Sequence, residues 1–310
     1  MIKRLRRIAR NLLSGTNLFI KYQIWNVERI FAYHKDFLIN YAGGVVTIEF
    51  KSCTGYLPTW SYAPMFVWDS DKKAWHVRIS DISFYTTSFP LFELVNELRG
   101  YLLLGDLRPG DTVIDAGTSS GISAMYFAKR IGPAGKLICL EPDPNAIEIL
   151  SENIMINNLE NVILLKKGIS DRSGRESLLI SNVGASRISE GFGEECKPVI
   201  SIEAVTLDEV IRQYSLNKVD FVKMDIEGAE VKIVEDLTSL LATQPELIIA
   251  IASYHEYSGR KASSWIQDIG KEYKNIEIKT VYPHHETTFL LNKENVDMVR
   301  RLQAVNPYAG

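Results

Sequence analysis

The sequence predicts an α/β protein, a mostly parallel sheet with helices on both faces, preceded by a small aromatic-rich appendage of strands and helix. Three observations carry this reading. From about residue 86 on, apolar β-branched runs alternate with helical patterns, which implies buried strands joined by crossover helices. Residues 1–85 have a different texture, with short runs broken by Gly, Pro, Asp and Ser. The stretch "VIDAGTSSGIS" then sets two glycines where a strand passes into a helix. The 310 residues suffice for one large domain plus an appendage.

The elements follow in chain order. "MIKRLRRIARNLL" carries Lys3, Arg4, Arg6, Arg7 and Arg10 without an acid, and Ile2, Leu5, Ile8, Leu12 and Leu13 recur at helical spacing. Two readings are open: a solvated or docked terminal helix, and weak contact of residues 1–13 with an anionic membrane surface. The first is favoured, because one short helix binds a membrane weakly. "VVTIEF", "MFVWD" and "WHVRIS" read as short strands. Tyr56, Trp60, Tyr62, Phe66, Trp68 and Trp75 crowd this region. Most are expected in the core of a small β unit, with one or two lining an acceptor cleft. "FPLFELVNELRGYLLLGDL" reads as a helix with Pro near its start.

After it come the apolar runs "DTVIDAG", "KLICLEP", "NVILLKKGIS", "VDFVKMD" and "ELIIAIASYH". Helical patterns such as "NAIEILSENIMINN" and "AEVKIVEDLTSLLA" separate several of them. "IEIKTVYPHHETTFLLNK" reads as a closing hairpin. Its first strand runs with the parallel set, so "PHHET" falls on the sheet edge that carries the strand ends.

Bulk properties remove several function classes. The net charge of −3 gives no support to a nucleic-acid partner. Cys53, Cys139 and Cys196 lie far apart with no C-x-x-C pair, which speaks against a disulfide framework or zinc site and fits a reducing cytoplasm. No apolar run reaches the ~18 residues of a spanning helix, and no secretory h-region follows the basic start.

Ligands of such sheets bind beyond the carboxyl ends of the strands. Gly117 and Gly121 allow close backbone approach there, but their G-x-x-x-G spacing is not the G-x-G-x-x-G that cradles a pyrophosphate. A looser loop behind the acidic strand end Asp115 suits a ligand without phosphates and with a positive centre, such as S-adenosylmethionine. A purely structural strand-to-helix turn is the alternative. Glu141, at the tip of "LICLEPDP", is placed to accept from both ribose hydroxyls of an adenosine group. A helix-start acid is the competing account. Pro142 and Pro144 stop that strand. "GISDRSG" offers backbone amides beside the adenine, and Asp171 either accepts from the adenine amine or shapes its turn.

"VIDAGTSSG", "LEPDP", "GISDRSG", "VTLDEV" and "VDFVKMDIEGAE", with the later His-Glu pair, make residues 90–292 resemble the FkbM-type S-adenosylmethionine-dependent methyltransferases. The most specific of these is "KMDIEGAE". The resemblance implies a Rossmann-like class I methyltransferase fold with an antiparallel last strand in a seven-stranded sheet. It also implies O-methylation of a hydroxyl on a sugar, glycolipid or other small metabolite, hence a small-molecule or glycan acceptor. The domains are then 1–85, an appendage with a role in acceptor binding, and 86–310, the methyltransferase domain. Where such proteins often read "VEVH", this chain has "IAIASYHEY", with Ser253 and Tyr254 before His255.

The cofactor set expected on this basis is Asp115, Gly117, Thr118, Ser119, Gly121, Glu141, Pro142, Ile169, Ser170, Asp171 and Asp225. The catalytic set is His255 as a general base titrating near neutrality, with Asp225 and Glu227 beside it. Glu230 is assigned to the following helix N-terminus. No metal is expected. A cluster of Asp225, His255, His284 and His285 is the alternative, set against a solvated turn for the last two. Two other functions compete: a cofactor-binding protein without catalysis, and a nucleotide-dependent oxidoreductase, whose phosphate-cradling glycine pattern is lacking.

Overall fold

A computed structural model describes residues 37–42, 45–50, 65–79, 81–87, 97–104, 107–180, 187–188, 199–282 and 286–305. Contacts divide the chain into two compact units, Met1–Val95 and Asn96–Gly310. The basic stretch 1–13 lies outside the described residues, as do Tyr56, Trp60 and Tyr62.

The first unit is an antiparallel meander of five strands in sequential order: β1 (Phe37–Ala42), β2 (Val45–Phe50), β3 (Met65–Asp69), β4 (Ala74–Ile79) and β5 (Ile82–Thr86). The sequence reading named β2, β3 and β4 and passed over β1 and β5. Alternation makes the core: Trp75, Val77 and Ile79 of β4 and Ile82 and Phe84 of β5 are buried, along with Phe66 of β3. Trp68 meets Trp75 edge to face at 5.4 Å.

The second unit opens with α1 (Leu98–Tyr101), the described part of the helix expected from about residue 89. Its main sheet contains β6 (Thr112–Ala116), β7 (Lys136–Leu140), β8 (Val162–Leu165), β13 (Phe221–Met224), β14 (Ile248–Ala252), β17 (Ile276–Val281) and β18 (Thr287–Asn292). The spatial order is β17-β18-β14-β13-β6-β7-β8, parallel except for β18, which runs antiparallel to both neighbours. This is the class I methyltransferase sheet. The strands are continuous apolar runs because helices cover both faces. Val113 and Ile114, Val222 and Met224, Ile249 and Ile251 are fully buried.

The connecting helices begin where local chemistry allows. α2 (Ile122–Ile131) starts after Gly121, whose φ is 91°. α3 (Pro144–Ile156) has Pro144 in its first turn and is capped by Asp143, which accepts from the Asn145 amide at 2.9 Å. A smaller sheet, unread in the sequence, follows β8: β9 (Gly168–Ile169), β10 (Gly174–Leu179), β11 (Arg187–Ile188) and β12 (Val199–Val205), in the order β11-β10-β12-β9. Thr206 then caps α4 (Leu207–Gln213). The helix expected at "AEVKIVEDLTSLLA" begins instead as a 3-10 turn, Ala229–Ile233, before α5 (Val234–Thr243). After β14 a two-stranded turn, β15 (Glu256–Tyr257) and β16 (Arg260–Lys261), leads into α6 (Ala262–Gly270), and α7 (Val296–Ala304) follows the sheet. Among the described residues no helix is long and apolar enough to cross a membrane.

Chain order reverses between β6 and β13, so their carboxyl ends form the switch-point crevice. Here the sheet holds a buried ion pair. Lys223 of β13 and Asp115 of β6 are register partners, 4% and 0% exposed, with Nζ 3.1 Å from Oδ1. Nζ also donates to the Gly117 carbonyl at 2.7 Å and lies 5.5 Å from the Tyr101 ring centroid. Burial works against the ammonium, but the charge of Asp115, then that of Asp225, outweighs it and raises the Lys223 pKa. Breaking such a pair strands a buried charge. Asp115→Asn is therefore expected to destabilise the protein by about 3–5 kcal/mol in urea denaturation, and adding Lys223→Met should recover more than half of that loss.

Candidate active site

The crevice is walled by the loop after β6, the tip of β7 and the tip of β13. Its lining includes Gly117, Ser119, Glu141, Pro142, Asp143, Lys167, Ile169, Leu178, Asp225, Ile226 and Glu227. Six of the expected cofactor residues are therefore brought together: Gly117, Ser119, Glu141, Pro142, Ile169 and Asp225. Thr118, Ser120 and Asn153 stand behind the wall. Thr118 Oγ1 donates to the Asp115 carbonyl at 2.8 Å, and Asn153 Nδ2 to the Ser120 carbonyl at 2.7 Å. Gly121 packs on Leu150. Ser170 is buried and donates to Asp171 at 3.0 Å, which places both beside Ile169 without lining the crevice.

Asp115 differs most from its expected setting. The sequence reading turned it toward a ligand's positive centre. In the structure the positive centre beside it is Lys223, and its other oxygen, Oδ2, accepts from Ser123 Oγ at 2.6 Å.

The loop takes its shape from unusual dihedrals. Gly117 has φ 75°, Ser119 φ 52° and Gly121 φ 91°. The bend aims the Ser119 amide at Glu141 Oε2, 2.7 Å away, while the Asp143 amide donates to Oε1 at 2.9 Å. Glu141 thus stands fixed at the end of β7 with acceptor capacity left on both oxygens. Burial is the main force on its carboxyl. The two backbone bonds and Lys223 oppose it, Asp143 adds to it, and the pKa is pushed up to about 7.

The tip of β13 presents a carboxylate cluster. Asp225 is held from three sides. Its amide donates to the Ala116 carbonyl at 3.0 Å, Tyr101 Oη donates to Oδ2 at 2.9 Å, and His255 Nε2 stands 3.5 Å from Oδ1. His255, just past β14, also has Nε2 at 3.4 Å from Glu227 Oε2 and Nδ1 at 3.2 Å from Glu230 Oε1. Tyr254 packs against the imidazole at 4.2 Å between centroids. Glu230 is fully buried and does serve the turn, accepting from the Ile226 amide at 2.8 Å and the Gly228 amide at 2.7 Å. The structure adds that it holds His255.

Burial lowers the imidazole's affinity for a proton. The Glu230 hydrogen bond and the charges of Glu230, Asp225 and Glu227 overcome this and push the His255 pKa up to about 9. The expected titration near neutrality is corrected accordingly: three carboxylates favour the imidazolium. His284 and His285 lie outside the described residues. Tyr101 and Lys223 were missed in the sequence. A lysine inside an otherwise apolar strand was the one available signal that a buried partner exists.

A parallel sheet with a glycine loop after its first strand, an acid at the second strand tip and a carboxylate at the fourth defines a class of adenosyl-cofactor enzymes. Residues 115–292 match the methyltransferase FkbM domain, and the chain belongs to that family of S-adenosylmethionine-dependent methyltransferases. It is 26% identical over 164 residues to methyltransferase sdnD of Sordaria araneosa, covering 43% of this chain and 62% of that one. It is 30% identical over 138 residues to the 2-O-methyltransferase NoeI of Sinorhizobium fredii, covering 40% and 56%. It is 25% identical over 183 residues to the hexuronic acid methyltransferase AglP of Haloferax volcanii, covering 56% and 73%. The chain thus spans less than two thirds of the first two of these relatives.

The glycine loop yields a comparative test. A Cβ on Gly117 would lie 1.8 Å from the Asp225 carbonyl oxygen, whereas one on Gly132 meets nothing within 4 Å. Both glycines have positive φ. Gly132, at φ 65° and ψ −176°, sits in a region that suits glycine alone, so Gly132→Ala is expected to cost about 1–3 kcal/mol from the backbone alone. Gly117→Ala should cost more than Gly132→Ala in the same melt, and it should also weaken cofactor binding by displacing the tip of β13.

Proposed function

We propose that this protein is an O-methyltransferase that transfers the methyl group of S-adenosylmethionine to a hydroxyl of a sugar or other small metabolite. The observation that carries the reading is the juxtaposition of Glu141 and Asp225 across one crevice at the switch point. The residues fit the cofactor: a buried carboxylate with spare acceptor capacity for a ribose, an open glycine loop, and carboxylates facing the positive end. When bound, the cofactor supplies an electrophilic methyl group. Glu141 holds the ribose hydroxyls, and Ile169 and Leu178 offer apolar contact to the adenine. Asp225, Glu227 and His255 meet the acceptor, align its oxygen and take its proton into the cluster. In this reading His255 acts with the carboxylates as a unit and not as a free neutral base. The hydroxyl acceptor is supported by the names of the relatives that are a 2-O-methyltransferase and a hexuronic acid methyltransferase.

Calorimetric titration with S-adenosylmethionine tests the cofactor half. Glu141→Ala is expected to weaken binding by about 1.5–3 kcal/mol, the worth of hydrogen bonds to a charged group. The sign of the pH dependence follows from the raised pKa. Below about 7 Glu141 is protonated and loses acceptor capacity, so affinity should rise between pH 5 and 8 in the wild type. That rise should flatten in Glu141→Gln. An affinity independent of pH and of both substitutions would contradict the assignment.

Turnover on hydroxylated sugars, followed by mass spectrometry for the gain of one methyl group, tests the catalytic half. Asp225→Asn should lose roughly 10²–10⁴-fold in rate while keeping cofactor affinity within a few-fold. Full turnover in this variant would remove Asp225 from the reaction.

A further inference from the structure

Glu286 is a buried carboxylate that stands apart from the cluster at the tip of β13. It directly precedes β18, is 7% exposed, and is followed by the fully buried Thr287 and Thr288. Oε1 accepts from Ser263 Oγ at 2.6 Å, and Oε2 accepts from Lys261 Nζ at 2.5 Å. An ion pair set in a protein interior is weak grounds for stability, because a well-packed apolar residue often serves as well. The geometry it fixes is the other use for such a charge.

What Glu286 fixes is the excursion that carries His255. The ladder between β14 and β18 runs one step past the strands, where the Ser253 amide donates to the Glu286 carbonyl at 3.1 Å. The chain then leaves the sheet through Tyr254 and His255, makes the turn of β15 and β16, and returns at the start of α6. There the Ala262 amide donates to the His255 carbonyl at 2.8 Å, and the Ser263 amide to the Ser253 carbonyl at 3.0 Å. Glu286 thus grips the outgoing end with its main chain and the returning end, Lys261 and Ser263, with its side chain. His255 lies between the two grips, with Nδ1 3.2 Å from Glu230 Oε1. Hydrogen bonds weaken steeply when donor and acceptor lose distance or alignment, so the imidazole keeps its carboxylates only while both ends are held.

We propose that Glu286 is a positioning residue: its carboxylate clamps the returning end of the 253–263 excursion and so keeps the His255 imidazole among Glu230, Asp225 and Glu227. It acts through Lys261 and Ser263. The groups that face the imidazole are those three carboxylates and Tyr254, whose ring packs on it and whose pKa is raised, first by burial. Burial disfavours the imidazolium, while the Glu230 hydrogen bond and the three carboxylate charges outweigh it. Released from the clamp, the imidazole moves away from the carboxylates and its titration falls. The consequence for catalysis rests on the methyltransferase reading, in which His255 acts with Asp225 and Glu227. The clamp itself stands on the side chains alone.

The test follows the His255 ring protons by NMR against pH on the full chain, without cofactor or acceptor. The signal is assigned by its loss in His255→Gln. The wild type is expected to titrate at about 9. Glu286→Ala should move the midpoint most of the way to the ordinary histidine value of about 6.5. Glu286→Gln, which keeps an acceptor for Ser263, and Lys261→Met should each move it part of the way. These two carry the test if Glu286→Ala fails to fold by circular dichroism. Lys279→Met removes hydrogen bonds to the end of α7 from the neighbouring β17, and should leave the titration where it is. An unmoved titration in the Glu286 and Lys261 variants, or an equal movement in Lys279→Met, overturns the clamp. Turnover on hydroxylated sugars is measured on the same samples. In Glu286→Ala kcat should fall by up to about 10²-fold, with S-adenosylmethionine affinity kept within a few-fold. A moved titration with full turnover overturns the positioning role. An unmoved titration in an active enzyme removes the clamp alone. A moved titration in a protein that neither binds the cofactor nor turns over keeps the clamp and removes the proposed function.

Discussion

The ammonium of Lys223 sits where the two central strands and both sides of the crevice meet. It reaches Asp115 across the register of β6 and β13, the Gly117 carbonyl in the glycine loop and the face of Tyr101. Through Gly117 it holds the loop that aims the Ser119 amide at Glu141. Tyr101, packed against it, holds Asp225 by a hydrogen bond. One buried cation therefore ties the Gly117–Glu141 wall of the crevice to the carboxylate cluster. Its burial is tolerable because an anion, a carbonyl and an aromatic face replace its water. Apolar replacement of the pair would preserve packing, but nothing apolar could hold the Gly117 carbonyl in place.

The second organising constraint is a local surplus of negative charge. Asp225, Glu227 and Glu230 gather within one turn, and Glu227 adopts φ 59° to do so. Gly228, at φ 104°, completes the bend, and its amide is spent on Glu230. The strained turn thus points two carboxylates toward the crevice while Glu230 stays beneath to hold His255. Positive charge suits this corner, and the imidazolium of His255 supplies it.

Much of this was legible in the sequence because of one topological fact. Parallel strands end on one sheet edge, so Gly117, Glu141, Asp225 and His255, scattered through the chain, had to come to the same side once the strands were recognised. What escaped were interactions with no local period. Tyr101 and Asp225 are 124 positions apart, and no spacing rule connects them. The small sheet of β9–β12 was missed although "VISIEAV" alternates in burial as a half-covered strand should. The titration of His255 was misjudged because its ordinary value was carried over unchanged. The shift depends on three carboxylates converging in space, and only two of them, Asp225 and Glu227, had been placed beside the imidazole. Asp115 was misread for a related reason. A strand-end acid looks free until its neighbour on the adjacent strand is known.

A crystal structure of the protein soaked with S-adenosylhomocysteine tests the central claim most directly. The account predicts the ribose hydroxyls on the Glu141 carboxylate, the homocysteine along the Gly117–Gly121 loop, and the sulfur opening toward Asp225 and His255. A nucleoside bound away from Glu141, or a sulfur directed away from the tip of β13, would contradict it.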